Sequence, residues 1–406
     1  MKNSQRQTIV FFMLFILLDL CSVACSAVAT TSSHIPIMGI WNVNANVEFA
    51  NKAGSRLSRR MWRLADYKLM NGQVLSHKLS ANTYLNKAEV IGTMAGPLPT
   101  WIQPAFSVPH KIYPPTDWLL FDKLIRRWLQ DIPDFPSYFE VFNELDAHWT
   151  GSIIEYQKFE SIITNAIKDI YPKTIVLGPS SYDADPIRLK KYMSPEFIKQ
   201  FDGIVLHAYV NGTRPEDEFI ERIRNVRKYL NQVGLPEKPL YITEFGWTTT
   251  EGSWQRPVTE LTQAQYLTRA LLLMASENIE AAIYFCLFYD AKNPGEKAFS
   301  ILNSDMTPKP AYLAFKNLTH YLNNANSIKS GKKDGTYYVI IQQNNTTILA
   351  LWAPDGPNKI TLPQIELSHT LYDFMGNILA KPSLDIQVDR SPVYVVFSKR
   401  VNNIGF

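Results

Sequence analysis

Cysteine is nearly missing from this chain. Of three cysteines in 406 residues, Cys21 and Cys25 fall in an apolar leader, which leaves Cys286 alone in the remainder. One thiol can build neither an intramolecular disulfide nor a cysteine metal site. The run AAIYFCLFYD around it is apolar enough for a buried strand. The seven histidines are scattered and no H-E-x-x-H motif occurs, so no catalytic metal is inferred. No glycine-rich phosphate loop leads from a strand to a lysine, no G-x-S-x-G is present, and no cofactor is expected. The formal charge of +4 is spread along the sequence, without the concentrated basic face that nucleic acid requires. Internal repeats and low-complexity segments are absent as well.

The apolar run IVFFMLFILL, preceded by Lys2 and Arg6, falls short of the roughly twenty residues that a spanning helix needs. Small residues follow it, and Ala27 and Ala29 fit an A-x-A cleavage site. Residues 1–29 therefore read as a signal peptide with Thr30 as the new N-terminus. The protein is expected to be exported, periplasmic or extracellular, with no stable membrane insertion after cleavage. An uncleaved N-terminal anchor is the less favoured alternative.

What is present is globular: 46% hydrophobic, 19% charged and 12% aromatic residues. Short apolar runs alternate with amphipathic stretches. HIPIMGIWNV, RMWRLADY, AEVIGTMAG, YFEVFNE, TIVLGPSS, FDGIVLHAY, PLYITEFGW and IEAAIYFCLFYD read as eight strands. Between them lie helical patterns such as FANKAGSRLSR, TDWLLFDKLIRRWLQDI with Thr116 as N-cap, and EDEFIERIRNVRKYLNQVG stopping at Gly234. NGQVLSHKLSANTYLNK is a poor helix in the second unit. The count and spacing predict a (β/α)8 barrel over residues 30–322. From 323 to 406 the sequence changes to short strands separated by turn residues such as Asp355-Gly356 and Gly376-Asn377. That predicts a small antiparallel β-sandwich.

In such a barrel the C-terminal strand ends share one mouth. Glu144 closes strand four and Glu244 closes strand seven, so two carboxylates distant in sequence are expected to meet there. Two facing carboxylates suit glycosidic bond cleavage, one protonating the departing oxygen and the other attacking the anomeric carbon. His207 and Tyr209 alternate with apolar residues at the end of strand six and are candidates for the same mouth. Pyranose rings also need aromatic faces. Trp247, Trp101, Trp149 and Trp254 are candidates, although a lone tryptophan serves packing as readily as sugar binding.

FEVFNELD and LYITEFGW resemble the acid/base and nucleophile strands of clan A retaining glycoside hydrolases. The order YPPTDWLLFDKLIRRWL, YFEVFNELD, VLGPSS, FDGIVLHAY and ITEFGW resembles glycoside hydrolase family 39 and related exopolysaccharide-associated hydrolases. The resemblance covers most of the chain after the leader and is vague before Met61. It implies Glu144 as general acid/base, Glu244 as nucleophile, Asn143 as the ligand of the sugar 2-hydroxyl, and Arg63 as the strand-two arginine beside the nucleophile. Arg63 also reads as an ordinary surface residue among Arg56, Arg59 and Arg60. The sequence departs from the family at strand eight, where Phe285-Cys286-Leu287-Phe288 stands in place of a frequent tryptophan; Asp290 either closes the site or begins the loop.

The expectation is a retaining hydrolase of an extracellular or cell-envelope polysaccharide or oligosaccharide, with the β-linkage implied by the resemblance alone. Short strand-to-helix loops after Trp41 and Tyr209 favour an open groove and endo action. Two alternatives use the same features: a transglycosidase that remodels an exopolysaccharide, and a sugar-binding barrel without turnover.

Overall fold

The computed structural model describes residues 30–32, 34–41, 47–77, 79, 89–105, 108, 110–289, 294–362, 369–380, 383–401 and 404. The expected signal peptide lies outside the described residues. Eight parallel strands close into a barrel: β1 (Ile37–Ile40), β2 (Leu57–Arg63), β3 (Glu89–Ala95), β4 (Tyr138–Glu140), β5 (Ile175–Ser181), β6 (Gly203–His207), β7 (Leu240–Phe245) and β8 (Ala281–Tyr284). Each pairs with its neighbours in sequence, and β8 closes on β1. Leu57, Ile91, Leu177, Val205, Tyr241 and Ile283 fill the lower interior. That apolar plug leaves the upper interior for polar groups.

The surrounding helices are α1 (Val47–Lys52), α2 (Trp118–Asp131), α3 (Leu145–His148), α4 (Ile153–Ile170), α5 (Pro186–Tyr192), α6 (Pro195–Ile198), α7 (Ile220–Gln232), α8 (Glu260–Met274), α9 (Pro294–Lys297) and α10 (Pro310–Leu322). α2 shows why such segments are helical. Phe121, Leu124, Ile125, Trp128 and Leu129 fall on one face and are buried, each worth about 1.5–3 kcal/mol relative to exposure. Its N-cap is Asp117, whose side chain accepts from Leu120 N at 2.9 Å, and not Thr116. Ser152 and Glu155 form a reciprocal capping box on α4. α7 stops before Gly234, whose φ of 76° suits only the left-handed position past a helix end. In the second unit a short hairpin, Leu69–Met70 with Gln73–Val74, occupies the start of the poor helix; residues 78 and 80–88 lie outside the described residues.

After α10 the chain forms an antiparallel β-sandwich: β9 (Ser327–Lys333), β10 (Thr336–Gln342), β11 (Thr347–Trp352), β12 (Asn358–Thr361), β13 (His369–Asp373), β14 (Ile378–Ala380), β15 (Asp385–Val388) and β16 (Val393–Phe397). The large sheet runs Thr30–Ser32, β9, β10, β11, β16, β13, β14, and β12 pairs with β15. Thr30–Ser32, assigned to the barrel by the sequence reading, thus belongs to the second sheet, pairing with Ser330 to Ile328. Alternation divides that sheet between two cores. Val339, Ile341, Ile348, Ala350 and Trp352 join the barrel core, while Tyr338, Ile340, Leu349 and Leu351 pack with Ile360, Ile386 and Val388.

Glu216, just before α7, fastens the two parts together. It takes Arg269 Nε at 2.8 Å and Nη2 at 2.6 Å, and Trp352 Nε1 donates to it at 2.7 Å. Arg269 Nη1 also donates to the Arg390 carbonyl. The ion pair is buried, with side-chain exposures of 1% and 3%. Glu216→Ala would strand a buried guanidinium, at a cost of about 3–5 kcal/mol. Trp352→Phe removes one hydrogen bond to a charged group, about 1.5–3 kcal/mol. The expected result is a lower thermal unfolding midpoint for both, with Glu216→Ala the lower of the two.

Candidate active site

The site begins with the rungs of β2. Leu57, Arg59, Met61 and Arg63 share one face of that strand. Leu57 lies in the apolar plug, Arg59 sits above it, Met61 lines the cavity at the mouth, and Arg63 is exposed at the strand end. Arg59 Nε and Nη2 make a bidentate pair with Glu140 on β4, both at 2.7 Å. Its Nη2 also donates to Asn143 Oδ1 at 2.7 Å, and its Nη1 pairs with Glu244. The arginine beside Glu244 is therefore Arg59. Arg63, the residue the resemblance implies for this role, lies two rungs higher on the same face and is exposed.

β7 needs an irregularity to present Glu244. Ile242 pairs with Leu206, but Glu244 pairs with His207, one residue out of step. A bulge of this kind re-aims a side chain. Both Tyr241 and Glu244 thereby face the barrel interior. Tyr209 Oη donates to Glu244 Oε2 at 2.9 Å, so Glu244 has an arginine and a phenol as donors.

Glu144 follows β4 and caps α3 in the left-handed region, with φ 50° and ψ 39°. For a residue with a Cβ this backbone costs on the order of 1–3 kcal/mol, a cost tolerated mostly at functional sites. Ser180 Oγ accepts from Glu144 N at 3.4 Å. Asp146, two residues on, accepts from Tyr182 N at 3.1 Å and holds the turn against β5. Glu144 Oε1 lies 2.7 Å from His207 Nδ1, and Oε2 lies 3.9 Å from His148 Nε2.

A ligand atom from each of Glu144, His207 and Glu244 lies within 4.8 Å of the others. That is close to the separation of about 5–5.5 Å for a carboxyl pair in retaining glycosidases, and below the roughly 6.5–9.5 Å of inverting ones. The same triad has the spacing of metal ligands, but Arg59 on Glu244 opposes a second cation there.

Three carboxylates here face two cationic groups. Burial disfavours a charged imidazole, yet Glu244, Glu140 and Glu144 lift His207 to about 10. Burial works against Glu144 as an anion, but the imidazoles of His148 and His207 beside it outweigh burial and hold the carboxyl below its ordinary value. Burial likewise opposes Glu140, which Arg59 and then His207 bring to about 2. Burial pushes Glu244 up, with His207 and Arg59 opposing and Glu144 and Glu140 adding to the rise. The surroundings thus push the two facing glutamates in opposite directions, Glu144 down and Glu244 up. The resemblance implies the reverse order.

The cavity measures about 220 Å³ and is walled by Trp41, Phe285, Tyr289, Trp254 and Phe299 beside the glutamates. It is smaller than a drug-sized pocket of about 300–1,000 Å³. Trp254 is 54% exposed and stands edge-on to Tyr209, ring centroids 5.1 Å apart. Trp41 Nε1 is buried without an acceptor among the described residues. Glu296, half-buried on α9, adds a third carboxylate to the lining.

Of the tryptophan candidates, only Trp254 reaches this cavity. Trp247 is fully buried in the core, with Nε1 donating to the Thr213 carbonyl at 3.0 Å. Trp149 is buried beside Tyr156 and Phe159, and its Nε1 donates to the Ser152 carbonyl. Trp101 donates to the Tyr67 carbonyl at 2.7 Å and packs on the core. All three follow strands where a ring can turn inward. Phe285, which stands where the resemblance expects a tryptophan, does reach the cavity; Trp41, Tyr289 and Glu296 were missed because a residue at a strand end or in a loop carries no periodic signal. Asp290 and the loop after Trp41, residues 42–46, lie outside the described residues, whereas the loop after Tyr209 is short, with a helical turn beginning at Pro215.

No family model and no curated protein matches the sequence. Solved structures do share the fold. A family 39 glycoside hydrolase from Bacteroides cellulosilyticus WH2 aligns with a TM-score of 0.71 at 16% identity, over 90% of this chain and 81% of that one. A family 39 β-xylosidase from Caulobacter crescentus gives 0.63 at 15% identity, over 91% and 97%. A family 86 β-porphyranase from Bacteroides plebeius gives 0.60 at 14%, over 93% and 75%. The barrel with its β-sandwich is thus an architecture found in clan A glycoside hydrolases.

Two predictions test this geometry. Arg59→Met would leave Glu140 and Glu244 buried without their cation and cost about 3–5 kcal/mol, whereas Arg63→Met stays within about 0.5 kcal/mol, as exposed sites usually do; thermal unfolding compares them. The second concerns pH. Glu140, lowered from 4.5 to about 2, stabilises fully above pH 4.5, and that contribution is lost as pH falls toward 2. His207, raised from 6.5 to about 10, stabilises fully below pH 6.5, and that contribution is lost as pH rises toward 10. The unfolding midpoint is expected to fall along both limbs, and His207→Gln to flatten the alkaline one.

Proposed function

We propose that this protein is a retaining glycoside hydrolase, exported, acting on β-linked sugars of an extracellular or cell-envelope saccharide. The observation that carries the reading is the Glu144–Glu244 pair, at the ends of β4 and β7, within 4.8 Å and with His207 between them. The shared fold supports it, as do the names of the β-xylosidase and β-porphyranase neighbours for the linkage.

In the first step Glu244 attacks the anomeric carbon as the glycosidic bond breaks, and Glu144 gives its proton to the departing oxygen. The product is a glycosyl ester on Glu244. Glu144, now a carboxylate, takes a proton from water as that water attacks the anomeric carbon. The ester bond breaks, Glu244 leaves as a carboxylate, and Glu144 is reprotonated. Configuration is retained because the carbon is inverted twice.

The chemistry requires a proton on Glu144 when the sugar is bound. Glu144 keeps 16% side-chain exposure, toward the cavity, while Glu244 keeps 8% and has Arg59 against it. A saccharide filling the cavity removes more water from Glu144 than from Glu244, and burial raises a carboxyl. Binding therefore favours the protonated form of Glu144. Arg59 and Tyr209 remain to support the charge on Glu244. Asn143 has its Oδ1 taken by Arg59, which aims Nδ2 outward as a donor for the sugar 2-hydroxyl. Trp254 and Trp41 offer the apolar faces.

The test is turnover of aryl β-glycosides followed by NMR of the first-formed anomer, with Glu144→Ala as the companion. The β-anomer is expected first. Glu144→Ala should lose turnover by at least about 100-fold, in keeping with the 10²–10⁴-fold worth of general acid–base catalysis, and azide should restore part of it as a β-glycosyl azide. An α-anomer from a β-substrate would overturn the retaining mechanism.

A further inference from the structure

A second cavity, about 460 Å³, opens between α1, α10 and the β13–β14 turn. It lies at the opposite end of the barrel from the mouth, since Gly54 on its wall leads into the N-terminal end of β2. Its volume falls in the range of about 300–1,000 Å³ that ligand sites occupy, and it is larger than the cavity at the glutamates. No lining residue is acidic.

The lining is of one chemical kind. Lys316 and His320 project from α10, both exposed; neither has an acidic partner among the described residues. Lys52 is also present, but Glu48 neutralises it at 2.6 Å. Two amides have fixed orientations: Asn323 Nδ2 donates to the Gly54 carbonyl at 2.8 Å, and Asn317 Nδ2 to the Phe374 carbonyl at 3.4 Å. Each leaves its carbonyl oxygen as an acceptor. Leu313, 40% exposed, supplies an apolar patch on the same wall. Thr319 Oγ1 donates to the Ala53 carbonyl at 2.6 Å, so α10 is bonded to the end of α1 and the cavity is built in advance of any ligand.

We propose that this cavity binds an acidic saccharide, a chain segment carrying a uronate carboxylate. Lys316 and His320 meet the carboxylate, the oriented amide oxygens accept from sugar hydroxyls, and Leu313 packs on ring C–H groups. The cavity at the mouth has the opposite character. Glu144, Glu244 and Glu296 line it, and no cationic side chain is among its lining residues to meet a uronate. The two cavities therefore suit sugars of different charge: a neutral sugar at the glutamates and an acidic one at the far end.

Calorimetric titration at low salt tests the assignment, using tetragalacturonic acid, cellotetraose and inorganic phosphate as separate probes. Tetragalacturonic acid is expected to bind, with cellotetraose and phosphate weaker by at least about tenfold. Lys316→Glu lies on an exposed helix face, so folding is not at stake. It should weaken tetragalacturonic acid by about tenfold or more and leave aryl-glycoside turnover unchanged. Trp254→Ala, in the other cavity, should leave tetragalacturonic acid binding intact. Absence of binding, equal binding of cellotetraose or phosphate, indifference to Lys316→Glu, or loss with Trp254→Ala would each overturn the proposal. The binding readouts need no turnover, so they stand apart from the outcome of the glycosidase test.

Discussion

The upper barrel depends on one buried guanidinium. Arg59 has no exposed side chain and is shared by Glu140, Asn143 and Glu244, which ties β2, β4 and β7 together at a single height. Removing a charge from water costs several kcal/mol per ion unless geometry and hydrogen bonding compensate. Both oxygens of Glu140 and one of Glu244 provide that compensation. The arrangement is thus stable only as a unit. It fixes where Glu244 points, which way the Asn143 amide faces, and how much negative charge His207 must balance. His207, itself within 2.7 Å of Glu144 and 3.7 Å of Glu244, completes the link between the two carboxylates.

The β-sandwich is joined to this mouth through the segment after β6. Glu216 there holds Arg269 and Trp352, and Arg214 reaches Asp355 at 2.7 Å. On the barrel side the same segment is pinned by Trp247 on the Thr213 carbonyl and by Gln255 on the Val210 carbonyl. Gln255 belongs to the loop that carries Trp254, and Tyr209 precedes the segment. Trp352, fully buried, therefore acts as an anchor between domains. It has no face to offer a sugar.

Much of this was legible in the sequence because period and polarity carried it. Eight apolar runs separated by amphipathic helices have few solutions other than a closed parallel barrel. Glu144 and Glu244 stood out because a buried strand seldom ends on a carboxylate. Arg59 did not, since FANKAGSRLSR reads as one amphipathic helix running through it. The structure ends α1 at Lys52, gives Gly54 a φ of 75° and starts β2 at Leu57. Gly54 was the available signal, as a helix-stopping residue that leaves Leu57, Arg59 and Met61 to alternate along a strand. The tryptophans were harder. Whether a ring after a strand turns toward the core, like Trp247, or into the mouth, like Trp254, is settled by loop geometry and partners distant in sequence.

The central claim is that Glu244 forms a covalent bond to the sugar while Glu144 moves the proton. Mass spectrometry of the intact protein after incubation with activated 2-fluoro-β-glycosides of several sugars, followed by peptide mapping, addresses it directly. The account predicts a single adduct, carried by the peptide containing Glu244, and identifies the glycone from the sugar that reacts. An adduct on another carboxylate would contradict it.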